Sequence, residues 1–162
     1  GDSLPFLHFE LGVTYWRMEK FDAALEELRK DITIEPEIGY NYEQLGRVYL
    51  QVGREEDAEK AFLEAVEREP RLPTALVELA KIHLRKGDLQ SASREAESAV
   101  KLAPKNQNAH FVRGQVLQKL GRSQDAKAEF AEASRIMAAG VERDRSLVDK
   151  GATSDPELAR QP

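Results

Sequence analysis

The sequence repeats itself every 34 residues, and this period constrains the fold more than any other feature. A small residue, mostly glycine, recurs at this spacing, and an alanine follows it twelve residues later in every copy. The small residues are Gly12, Gly46, Ala80 and Gly114, and the alanines are Ala24, Ala58, Ala92 and Ala126. Four copies without an insertion indicate stacked units that each contact their neighbours, rather than one globular core.

Each unit contains two segments with helical periodicity, in which apolar or small residues recur three or four positions apart. A glycine between the segments predicts a turn, because glycine adopts the left-handed conformation at a helix end without strain. A proline ends the second segment, because it lacks the amide hydrogen that a helix requires. The turn glycines are Gly53, Gly87 and Gly121, and the closing prolines are Pro36, Pro70 and Pro104.

These positions resemble the tetratricopeptide repeat, a helix–turn–helix unit of the same length. The resemblance covers residues 5–140, in units at 5–38, 39–72, 73–106 and 107–140. It implies an all-α fold, a right-handed α-solenoid of four antiparallel helix pairs, with the first helix of each pair lining a concave groove. The departures from the pattern are Glu19 at a turn-glycine position, Asp31 at an alanine position, Arg113 at a leucine position and Ala138 at a proline position.

Two segments lie outside the predicted repeats. Residues 1–4 form a short N-terminal lead, and residues 141–162 are expected to form a C-terminal capping helix followed by a flexible tail. Val141, Leu147 and Val148 give the helix a weak apolar stripe, although Gly140 argues against continuity with the last repeat. From Gly151 onward the composition is typical of a turn or linker.

Composition excludes several classes of protein. The absence of cysteine excludes disulfides and thiolate metal sites, and the net charge of -5 argues against nucleic acid as a partner. The uncharged apolar runs are far shorter than the roughly 20 residues that span a bilayer, which predicts no membrane insertion. The chain also has no phosphate-binding loop or catalytic motif. We therefore expect no enzyme, cofactor or metal, whereas composition leaves the compartment open.

The histidines and the acidic clusters are the remaining candidates for chemistry. His8 and His110 occupy one repeat position and His83 occupies the position of Tyr15, so they are interpreted as packed residues rather than as metal ligands. Acidic pairs on the second helices are interspersed with lysine and arginine at helical spacing, which is typical of a solvated face.

Charge separates between the two helices of the units. The first helices carry seven basic and three acidic residues, whereas the second helices carry 11 basic and 18 acidic residues. Two positions of each first helix do not serve the core. Over the four units, five of the eight residues at these two positions are basic and none is acidic. The eight residues are Val13, Arg17, Arg47, Gln51, Lys81, Arg85, Gln115 and Lys119. This pattern favours a basic groove for an acidic partner. Alternatively, basic residues late in a helix complement the helix dipole.

The first helix also carries a second apolar stripe, at Phe6, Phe9, Val13 and Trp16. The equivalent positions keep Tyr40 and Phe111 in later units, so the stripe becomes weaker along the array. Its aromatic residues suit an anchor site for a partner's apolar side chain. The alternative is that the stripe packs against a missing part of the protein or against the chain's own tail.

A protein-interaction module is the function that the sequence predicts best. The groove would bind a protein or peptide partner, acidic with an apolar anchor. The resemblance also excludes heat-shock-chaperone tails, because the positions that would hold their terminal carboxylate carry Phe9, Val13, Gln44, Thr74 and Glu78. The alternatives are a self-assembling scaffold unit, that is, a homo-oligomer, and the repeat arm of a larger multidomain protein.

Overall fold

The computed structural model describes residues 6–152, with side chains described as far as Val148. The described part of the chain forms eight α-helices in four consecutive pairs, which confirms the predicted all-α fold. The helices are α1 (Leu7–Arg17), α2 (Phe21–Ile34), α3 (Gly39–Gln51), α4 (Glu55–Arg68), α5 (Pro73–Lys86), α6 (Leu89–Leu102), α7 (Gln107–Lys119) and α8 (Ser123–Ala152). None of these helices is long and apolar enough to cross a membrane.

Within a pair, a small residue on the first helix lets a large side chain on the second helix fill the space beside it. A Cβ added to Gly46 would lie 2.8 Å from the ring of Phe62, and one added to Gly114 would lie 2.6 Å from Phe130. Phe62 is fully buried as a result. The recurrent glycines are therefore explained by close packing of the two helices of a pair.

Between pairs, each second helix packs against the first helix of the next pair. Leu45 and Leu79, which occupy one repeat position, are buried in a core cluster that extends from α2 to α5, as are Val48 and Ile82 three residues further along. The array is therefore a row of similar interfaces, and its stability depends mainly on contacts between neighbours.

The turn of the first pair differs from the other three. Gly53, Gly87 and Gly121 adopt the left-handed conformation after the first helix of their pairs, and Glu19 adopts it at the equivalent position with φ of 58°. A residue with a Cβ pays about 1 kcal/mol for this conformation. The turn geometry is thus conserved within the array even where the glycine is missing.

The C-terminal segment differs from the predicted capping helix. Helix α8 runs without a break through Gly140 and contains 30 residues, which makes it about 45 Å long. Val141, Leu147 and Val148 are all exposed, so this segment extends α8 and does not cover the end of the array. The predicted flexible tail after Ala152 lies outside the described residues.

Candidate partner-binding groove

An aromatic cluster lies where α1 meets α3. The rings of Phe9 and Tyr40 are tilted by 43° with their centroids 5.6 Å apart, and Phe9 is partly buried whereas Tyr40 is exposed. Phe6 precedes α1 and is also exposed. The structure therefore brings together Phe9 and Tyr40, two of the aromatic residues that the sequence selected, and the exposed Tyr40 ring leaves apolar surface available for contact.

Trp16 and Arg47 form the second part of this surface. The guanidinium carbon of Arg47 lies 4.4 Å from the centroid of the Trp16 ring, which is a cation–π contact between α1 and α3. Arg47 Nη1 donates to Gln44 Oε1 at 3.1 Å, and within the described part of the chain Arg47 has no carboxylate partner. The arginine is thus held in place while its charge is not neutralised by an ion pair.

The remaining basic residues are less available than the sequence suggests. Lys81 Nζ donates to Glu78 at 2.7 Å on the same helix, and Arg85 pairs with Glu55 at the start of α4. Arg17 and Lys119 are exposed in the last turns of α1 and α7. The positive charge predicted for the groove is therefore partly neutralised in the third unit, whereas Arg17, Arg47 and Lys119 have no carboxylate partner among the residues that the structure describes.

The C-terminal groove residues lie apart from the aromatic cluster. Phe111 on α7 packs against Phe130 on α8 with a centroid separation of 5.5 Å, and Gln115 is partly buried one turn later. Val13 is partly buried on α1. Among the twelve predicted residues, direct ring contacts link Phe9 with Tyr40 and Trp16 with Arg47, and both contacts lie at the α1–α3 junction.

Two buried carboxyl groups make hydrogen bonds between neighbouring helix pairs, and the sequence did not predict these contacts. Asp31 is 1% exposed and accepts hydrogen bonds from the backbone N–H of Phe9 at 3.2 Å and from Asn41 Nδ2 at 2.5 Å. Glu43 is also buried and accepts from the N–H of Ala75 in the first turn of α5 at 3.2 Å. Burial raises the pKa of both carboxyl groups, which the backbone donors partly oppose.

The contact between Asp31 and Asn41 could have been predicted from the sequence, because both residues depart from the repeat pattern at the same junction. Asp31 replaces an alanine in one column of equivalent residues, and Asn41 replaces an alanine in another. The other junctions hold Ala65 with Ala75 and Ala99 with Ala109 at the same two positions. Two polar residues at two alanine positions of one junction indicate that they contact each other.

The histidines pack against glutamates of the second helices. His8 Nδ1 lies 2.6 Å from Glu27, His83 lies between Glu59 and Glu95, and His110 lies 2.8 Å from Glu129. Among the residues that the structure describes, no group of three or more histidine or acidic side chains is arranged to hold a metal ion. His110 is buried and His8 and His83 are partly buried, and all three make hydrogen bonds that the sequence did not predict.

Replacing Glu59 with glutamine should lower the free energy of unfolding by about 1 kcal/mol at neutral pH. Glu59 on α4 accepts hydrogen bonds from Lys86 and His83 on α5, and the Lys86 contact is the main cause of its lowered pKa. A carboxyl group with a lowered pKa stabilises the fold above its ordinary pKa of 4.5 and loses this effect as the pH falls through its folded value.

The measurement is urea unfolding of the two proteins across a pH series. The difference between wild type and Glu59→Gln should be largest near neutral pH and should shrink below about pH 4.5. Glu67→Gln, on the exposed face of the same helix, serves as the control and should show no comparable change. A Glu59→Gln difference that is independent of pH would contradict this role of the charge.

Sequence profiles of the tetratricopeptide repeat match most of the chain. One profile matches residues 43–106 and again 77–140, and a second matches residues 7–38. Together these matches cover residues 7–38 and 43–140, which include part of each of the four helix pairs. The chain therefore belongs to the tetratricopeptide repeat family.

Solved structures share this fold at low sequence identity. A crystal structure of MamA is 19% identical, with a TM-score of 0.73, and the match covers 83% of this chain and 79% of that one. MamA from Desulfovibrio magneticus RS-1 is 16% identical, with a TM-score of 0.71 and coverage of 85% and 78%. The first repeat domain of Spaghetti (RPAP3), bound to the HSP90 peptide SRMEEVD, is 20% identical, with a TM-score of 0.67 and coverage of 72% and 93%.

At these identities the likeness concerns the fold. A search of curated protein sequences finds no match to the chain.

Proposed function

We propose that this protein is an interaction module that binds a partner segment at the α1–α3 junction, with an apolar side chain on the aromatic cluster and an acidic group on Arg47. The tetratricopeptide repeat fold supports an interaction role rather than catalysis. A neighbour of the same fold holds a bound peptide. The proposed position of the partner and its contacts are argued from the side chains of this protein.

The observation that carries the proposal is the position of Arg47 over Trp16. Stacking on the indole ring fixes the guanidinium group, so less side-chain entropy is lost when the arginine binds a carboxylate. The exposed ring of Tyr40 is on the same helix, two turns before Arg47. An acidic residue and a neighbouring aromatic or aliphatic residue are the partner chemistry that this surface fits.

The heat-shock-chaperone tail remains outside this proposal. Of the five positions that would hold its terminal carboxylate, Phe9 packs against Tyr40 and Glu78 carries a negative charge that would repel a carboxylate. Gln44 is buried and its amide oxygen accepts from Arg47. We infer that the peptide SRMEEVD, which a structural neighbour binds, binds weakly to this protein.

Selection from a random-peptide display library tests the proposal. We expect the wild-type protein to enrich peptides in which aspartate or glutamate neighbours an aromatic or aliphatic residue. Arg47→Glu should weaken binding of the enriched peptides at least about tenfold, because the variant replaces an attractive charge with a repulsive one. Fluorescence anisotropy with a labelled enriched peptide measures this change, and labelled SRMEEVD is compared under the same conditions.

Arg54→Glu is the matched control. Arg54 also stacks on an aromatic ring, with its guanidinium carbon 4.8 Å from the centroid of Tyr49, but it lies at the turn between α3 and α4. The control should retain wild-type peptide affinity while making the same change in net charge. Equal affinity of wild type and Arg47→Glu, with unchanged circular dichroism, would exclude the proposed site.

A further inference from the structure

The N-terminal end of the array exposes apolar residues at positions that are buried elsewhere. Leu7 is 41% exposed and Leu11 is 37% exposed, and both are on α1. In the following units the same positions are buried, and one of them, Asn41, contacts Asp31 on the second helix of the preceding pair. The buried equivalents are Asn41, Ala75 and Ala109 for Leu7, and Leu45 and Leu79 for Leu11.

The C-terminal end of the array also exposes apolar residues at positions that are buried in other units. Phe111 on α7 is 47% exposed, whereas its equivalents Glu43 and Val77 are buried by the next unit. Phe130 on α8, against which Phe111 packs, is only partly buried, whereas the equivalent Phe62 is fully buried. Met137 on α8 is exposed as well. This end thus presents the surface that would meet a following first helix.

We propose that these two ends are the two halves of one interface, and that a second copy of this chain stacks head to tail so that α1 of one molecule packs against α7 and α8 of another. The contact would repeat the arrangement of the internal junctions, where α2 packs on α3, α4 on α5 and α6 on α7. Within the described residues α1 does not pack against α7 or α8, so the two faces do not cover each other in one molecule.

Polar residues at both ends indicate that this stacking is reversible. Thr14 is exposed on α1 at the position where Val48, Ile82 and Val116 are buried in later units. On α8, Ser134 is exposed at the position where Ile32, Val66 and Val100 are partly buried. The end-to-end interface therefore buries less apolar surface than an internal junction, which favours association that depends on concentration.

A head-to-tail contact joins two different faces, so it forms open chains of molecules rather than a closed dimer. Sedimentation velocity from micromolar to millimolar concentration measures this association. The average mass of the wild-type protein should rise above the monomer mass of 18.2 kDa. Leu11→Glu and Phe111→Lys, each of which disables one face, should both remain monomeric.

The mixture of the two variants provides the sharpest test. Each variant retains one intact face, so an equimolar mixture should form dimers of about twice the monomer mass and nothing larger. Leu63→Glu is the matched control, because Leu63 is similarly exposed but lies on α4, and this variant should associate like the wild type. Arg47→Glu should also associate normally, which separates this interface from peptide binding in the groove.

Circular dichroism of each variant confirms that helix content is unchanged, and Leu7→Glu replaces Leu11→Glu if the latter is unfolded. If the wild-type protein stays at the monomer mass at millimolar concentration, the proposal is wrong, and something other than a second copy of the chain covers the exposed face of α1. Association that persists in Phe111→Lys but not in Leu11→Glu also overturns it, since a two-fold contact between two α1 faces would give that result.

Discussion

Replacing Phe62 with alanine should lower the free energy of unfolding by about 3–5 kcal/mol. The ring is fully buried and lies directly against Gly46, where a Cβ would be 2.8 Å away. Glycine has no side chain to move into the cavity, so the site can relax only by shifting the two helices. Urea unfolding followed by circular dichroism measures the loss.

The adjacent residue provides the control for this prediction. Leu63 is 45% exposed on the outer side of α4, and Leu63→Ala should cost less than about 1 kcal/mol. Alanine has a higher helix propensity than either phenylalanine or leucine, so helix propensity does not account for a loss of stability in either variant. Similar losses for the two variants would contradict the packing described for the second helix pair.

Replacing Asp31 with alanine should cost about 1–3 kcal/mol, mainly because it leaves Asn41 and the N–H of Phe9 buried without an acceptor. The double variant Asp31→Ala with Asn41→Ala should recover part of this loss. It creates the alanine pair that is already present at the next two junctions, Ala65 with Ala75 and Ala99 with Ala109. We therefore expect the effects of the two substitutions on the free energy of unfolding to be coupled rather than additive.

A double-mutant cycle measures this coupling. The free energies of unfolding of the wild type, both single variants and the double variant should give an interaction energy above about 0.5 kcal/mol. As a matched pair outside the contact, Thr33→Ala with Asn41→Ala should show additive effects, because Thr33 is exposed and donates to the carbonyl of Arg29 within α2. Additive losses for Asp31 and Asn41 would indicate that their hydrogen bond contributes little.

The sequence was sufficient to predict the helix pairs because their packing is local and is repeated. Gly46 and Phe62 belong to the same unit, and their combination recurs as Gly114 with Phe130, so one period reveals which positions must be small and which must be large. The same reasoning selected the aromatic residues at the α1–α3 junction. Phe9 and Tyr40 do lie together, and Trp16 does contact a groove arginine.

Which basic side chains form ion pairs could not be predicted from the repeat pattern. Arg85 belongs to a column that the family places in the groove, yet its long side chain reaches Glu55 on the preceding second helix. Flexible cations choose among acceptors that different units supply, so the result depends on three-dimensional distances that a repeat pattern does not contain. The structure shows that Lys81 and Arg85 are ion-paired, whereas Arg47 has no carboxylate partner in the described part of the chain.

Helix α8 shows a different limit of sequence reasoning. Gly140 suggested an interruption, but a glycine inside a helix costs only about 1 kcal/mol relative to alanine. The helix continues through it, and a Cβ at this position would meet no neighbouring atom. The glycine therefore marks neither a turn nor a close approach, in contrast to Gly46 and Gly53.

The polar contact between Asp31 and Asn41 also determines which unit can be a neighbour of which. A rearranged protein in which the first unit preceded the fourth would place Asp31 opposite Ala109, and the buried carboxylate would lose its side-chain donor. The alanine pairs at the same two positions of the later junctions carry no such restriction. At these positions the first two units are consequently matched to each other by a buried side-chain hydrogen bond, whereas the later junctions are matched there by size.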